Sequence, residues 1–74
     1  MKVQSVLIPK KDSIPGIEGY TLGEAKDWLK NNGFVFKKVD ITDNYYRFRQ
    51  LEPSFGRYVT HSIPNGIKLV LGEK

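Results

Sequence analysis

Hydrophobic spacing changes character along the chain, and each change marks an element. The run VQSVLIPK is dense in β-branched residues and ends at Pro9, which predicts a first strand. KKDSIPGIEG follows, with two glycines and a proline among charges, and reads as a surface loop. In TLGEAKDWLKNNG the apolar residues Leu22, Ala25, Trp28 and Leu29 fall on one stripe, while Lys26, Asp27, Lys30 and Asn31 take the other side. Thr21 and Glu24 have capping-box spacing, and Gly33 sits where a left-handed residue ends a helix.

FVFKKVDITDNYYRFRQ alternates with period two and predicts a hairpin. A two-residue turn at Asp43-Asn44, types that tolerate positive φ, sets Thr42 against Tyr45, Ile41 against Tyr46, Asp40 against Arg47, Val39 against Phe48 and Lys38 against Arg49. Ile41, Tyr46, Val39 and Phe48 then share an apolar face, and the polar partners share the other. A slip of one residue sets apolar against charged, so this register is preferred. LEPSFGRYVTHSIPNG is broken by two prolines and two glycines and reads as a long connection, with RYVTHSI briefly extended. IKLVLGEK closes as a strand with Ile67, Leu69 and Leu71 inward and Lys68 outward. The expected fold is α+β, one domain over 1–74 in the order β-α-β-β-β. A single helix packs on one face of a small, mainly antiparallel or mixed four-stranded sheet. The first and last strands are the expected candidates for edge pairing.

Seventy-four residues bury a small core, so stability is expected to be modest. The chain has no cysteine and one histidine, which removes disulfide frameworks and the usual zinc clusters. The longest uncharged apolar run, residues 3–9, is too short to cross a bilayer, and no signal peptide is read, so a non-membrane domain is expected. A net charge of +4 and a pI near 9.5 favour an acidic partner without identifying one.

Candidate chemistry concentrates in YYRFRQ. Tyr46 and Phe48 are expected in the core, which leaves Tyr45, Arg47 and Arg49 outward with Lys38 beside them and Asp40 opposite Arg47. Sheet faces that mix aromatics and cations bind single strands, bases on rings and phosphates on cations. The plainer alternative is a solvated strand face with charge pairs worth roughly a few tenths of a kcal/mol each. Arg57 and Tyr58 extend the basic face if their segment folds back over the sheet, while Lys10 and Lys11, followed by Asp12, read as solubilising. Catalysis is not expected: His61 is read as a lone loop histidine, its neighbours point elsewhere, and no carboxylate is placed to orient it. The eight carboxylates show no metal-ligand spacing, so no metal, cofactor or small-molecule substrate is expected.

SVLIPK, EAKDWLKNNGF, the KVDIT hairpin into YYRFRQLEPSFGRY, and GIKLVLG together resemble a small domain of tailed bacteriophages and some large DNA viruses, often accompanying prohead (head-maturation) protease-like proteins. The most specific parts are AKDWLKNNGF, with Ala25, Trp28, Leu29 and Gly33, and RFRQLEP, with Arg47, Arg49, Gln50 and Pro53. No protease residue carries over, because the chain holds no such domain, and the loop KDSIPGIEGYT is longer than the usual link. The resemblance implies a free-standing recognition module, in the host-cell interior or virion, with RFRQ as its surface. The expectation is a non-catalytic module binding nucleic acid through Lys38, Tyr45, Arg47 and Arg49, with Arg57 as an extension. The alternative is a protein-interaction or virion-assembly module that pairs with a viral protein or with itself.

Overall fold

The structure is a computed structural model and describes residues 2–52 and 56–73; Pro53 of the RFRQLEP motif lies outside the described residues. Five strands and one helix follow one another as β1 (Lys2–Pro9), α1 (Leu22–Asn31), β2 (Asp40–Ile41), β3 (Tyr45–Arg49), β4 (Arg57–Ser62) and β5 (Lys68–Glu73), with a short 3-10 turn at Pro64–Gly66 before β5. The fold is α+β, as expected, but the sheet has five strands rather than four and every pairing is antiparallel. Its order is β2-β3-β1-β5-β4. The expectation that β1 and β5 form edges is therefore corrected. β1 is central and β5 lies next to it.

A central position suits the most apolar strand. Val6 and Ile8 are sealed beneath the helix with Ala25, Leu29, Phe48 and Ile67. Tyr46, Trp28, Phe34 and Leu69 pack around that cluster. α1 starts as its sequence requires: the Thr21 hydroxyl accepts from the Glu24 N–H at 3.2 Å, and Glu24 Oε1 accepts from the Thr21 N–H at 2.9 Å. It ends in a Schellman pattern: Gly33 N–H donates to the Lys30 carbonyl and Phe34 N–H to that of Leu29, with Gly33 at φ 77°. The Phe34 ring then stacks on Trp28, centroids 5.9 Å apart.

The hairpin keeps the expected register, Asp40 opposite Arg47 and Ile41 opposite Tyr46, and Thr42 N–H donates to the Tyr45 carbonyl at 2.9 Å. Two details differ. Asp12 and Asn65 are the only described non-glycine residues at positive φ, so the Asp43-Asn44 turn is not of the left-handed kind. Right-handed two-residue turns splay their strands, which accounts for a ladder of only two pairs; the expected pairs of Val39 with Phe48 and Lys38 with Arg49 do not form. Ile41 keeps its side but stands 61% exposed at the edge.

Gln50 replaces the missing ladder. Its side-chain oxygen accepts from the Val35 N–H at 2.7 Å and its amide donates to the Val35 carbonyl at 2.8 Å. A further correction concerns residues 57–62, a full strand paired to β5 over six residues rather than a brief extension. His61 is thus a strand residue, not a loop residue.

Candidate nucleic-acid interface

Residues paired across a ladder share a face, and neighbours along a strand alternate. Applied to the observed register, this rule places Val6, Ile8, Tyr46, Phe48, Leu69 and Leu71 on the helix side. The opposite side collects Tyr45, Arg47 and Arg49 from β3, Lys2, Ser5 and Leu7 from β1, Lys68 and Val70 from β5, Tyr58, Thr60 and Ser62 from β4, and Asp40 from β2. One row runs straight across the sheet: Asp40, Arg47, Leu7, Lys68, Ser62. The next holds Arg49, Ser5, Val70 and Thr60. Four of these side chains are cationic and Asp40 alone is anionic, so this side is positive.

The expected site residues separate into three groups. Tyr45, Arg47 and Arg49 lie together on the open face, as the hairpin register requires. Lys38 is outside any strand, but with Arg49, Gln50, Leu51 and Glu52 it lines a shallow hollow of about 340 Å³. It stays beside Arg49 without a ladder pair. Arg57 does not belong. It pairs with Glu73, in phase with Val59 and Leu71, and so lies toward the helix side of the outermost strand, away from the other arginines. Only its neighbour Tyr58 reaches the open face.

Lys68 was legible as an outward residue, but its place two strands from Arg47 required the strand order. Leu7 lies between them, half-buried, and the Lys68 ammonium stands 5.5 Å from the Tyr45 ring centroid. Lys10 is spent elsewhere: its ammonium donates to the Thr42 carbonyl at 3.2 Å and lies 6.0 Å from the Tyr46 ring centroid, bracing the hairpin. Gln50, read as part of the recognition surface, is tied to Val35 instead.

A second hollow, about 500 Å³, opens between the loop after β1, the start of α1 and the turn at 64–66, and is lined by Glu18, Tyr20 and Glu24 among others. Its carboxylates make it unsuited to a polyanion. The Thr21 backbone N–H, then the Thr21 hydroxyl, hold Glu24 below the ordinary carboxylate value, and Lys11 adds to the effect. His61 is exposed in β4, opposite Leu69, with Thr60 and Ser62 turned to the other side. Among the described residues no group of three or more His, Cys, Asp or Glu is arranged to hold a metal. No described helix is long and apolar enough to cross a membrane. No family model, curated protein or solved structure matches the chain.

Proposed function

We propose that the protein is a small non-catalytic binding module whose open sheet face contacts single-stranded nucleic acid. The observation that carries this reading is the row of Arg47, Leu7 and Lys68 with Tyr45 and Arg49 adjoining it: cations on either side of an apolar strip, and an aromatic ring at its end. Cations meet phosphates, and the ring meets a base. A broad sheet backed by a helix does not fit the B-DNA major groove, which admits a helix or a two-stranded ribbon. An unpaired strand laid across the face satisfies both kinds of group.

Binding of a labelled oligothymidylate at low salt, followed by anisotropy, tests this. Affinity falls as salt rises, and the Arg47→Ala/Arg49→Ala variant loses about 1.4 from the log–log salt slope, the share of two single-strand phosphates. An affinity unaffected by that variant, or none at low salt, sinks the reading. The viral or phage-like setting, inside the host cell or in the virion, rests on the resemblance of AKDWLKNNGF and RFRQLEP. Neighbouring genes for capsid or maturation proteins are its test.

One feature favours a second reading, a protein-interaction or assembly module. β4 is an edge strand of six residues with no lysine, proline or register shift to blunt it. Pairing there with a second copy or a viral partner adds a strand to the sheet. Sedimentation across a concentration series decides it, with a strictly monomeric chain as the adverse result.

A further inference from the structure

Lys68 belongs to β5, yet its ammonium finishes over a ring on β3. The register explains how. Leu7 of β1 pairs with Arg47 on one side and Lys68 on the other, and Tyr45 pairs with Pro9, two residues further along β1. The lysine stem therefore runs diagonally across β1, past the half-buried Leu7. The charge rests 5.5 Å from the Tyr45 centroid. In the free protein one face of the Tyr45 ring is already occupied by the chain's own cation.

We infer, on the reading that this face binds nucleic acid, that Lys68 is a displaceable cover on the base-stacking surface. A base reaches that face of the ring only if the ammonium leaves it. The ammonium leaves at little cost only if a phosphate takes it. A ligand with both groups, a strand of unpaired nucleotides, supplies the two exchanges together. A bare polyanion supplies one and has no use for the uncovered ring. Lys68 thus links phosphate binding to base stacking and sets the face's selectivity for nucleotide strands.

The test compares two labelled strands of equal length, an oligothymidylate and an abasic deoxyribose-phosphate strand, by anisotropy at low salt. In Lys68→Gln, which keeps most of the stem, the ratio of oligothymidylate to abasic affinity rises roughly two- to fivefold as the competing cation is lost. Abasic binding itself weakens, and its salt slope shrinks by about 0.7. In Tyr45→Leu the ratio collapses toward unity. Circular dichroism verifies that each variant is folded, and Lys68→Ala serves as a second cation-free variant. A ratio that is unchanged or lower in both folded Lys68 variants overturns the cover. Absence of binding by the wild type to either strand overturns instead the nucleic-acid reading on which it rests.

Discussion

At the residue scale, two glycines four positions apart carry opposite predictions. Gly19 lies at φ 78°, and a Cβ there would land on the Lys10 carbonyl. The backbone comes that close because the loop returns to β1, where Tyr20 N–H donates to the Pro9 carbonyl and Lys11 N–H to that of Tyr20. Gly23 lies inside α1, and a Cβ there meets nothing within 4 Å. Gly19→Ala therefore lowers stability by at least about 1–3 kcal/mol through backbone strain, whereas Gly23→Ala raises it by about 0.5–1 kcal/mol through helix propensity. Urea midpoints measure both, and equal effects at the two sites would refute the assignment. Gln50 sits in the motif that looks most like a binding surface, yet both ends of its amide are engaged by Val35. Gln50→Ala is expected to cost about 1 kcal/mol in the same titration and to leave the salt slope of nucleic-acid binding unchanged, which separates its role from that of the arginines.

At the element scale, what the sequence revealed depended on whether an element's own residues dictate its form. α1 was legible to its caps because Thr21, Glu24 and Gly33 act locally, and the hairpin register was legible because opposed residues match in character. β4 was not legible. An edge strand open on both sides has no core to alternate against, and only Val59 of its six residues is even half-buried. The turn at 43–44 kept its position but not its handedness, because Asp and Asn tolerate left-handed backbone without requiring it. The helix cap gives a pH prediction. Hydrogen bonds from Thr21 hold Glu24 below 4.5 in the folded state. A carboxylate with a lowered folded value stabilises above its unfolded value, and that contribution is lost as pH falls through the folded value. Glu24→Gln keeps an acceptor for the Thr21 N–H but does not ionise. The wild type should therefore melt higher than the variant near neutrality, with the gap closing as pH drops below 4.5. A gap constant over that range would sink the assignment.

At the scale of the whole molecule, the hairpin alone could place Tyr45, Arg47 and Arg49 outward, but only the order β2-β3-β1-β5-β4 brings Lys68 beside them and carries Arg57 to the far strand. Strand order is a global property, decided by which strand is apolar enough to be central, and pair matching within one hairpin contains no trace of it. The same architecture sets the open face against stability. Arg47 and Arg49 are next neighbours on one side of β3, about 7 Å apart along the strand; among the described strand residues Asp40 is the one anion on their face, and Glu52 lines the hollow beside Arg49. The arginines' mutual repulsion weakens the fold slightly in low salt, so removing both by Arg47→Ala/Arg49→Ala should leave the melting temperature equal or higher. A ligand that binds only the native state reverses that balance, adding about 2.7 kcal/mol when present at a hundred times its Kd. Thermal melts with and without oligothymidylate should therefore change their order: the wild type is no more stable than the variant alone and the more stable one with the strand bound. A double variant that melts far below the wild type without ligand would instead assign the arginines to the fold, and the face would lose its claim to be a binding surface.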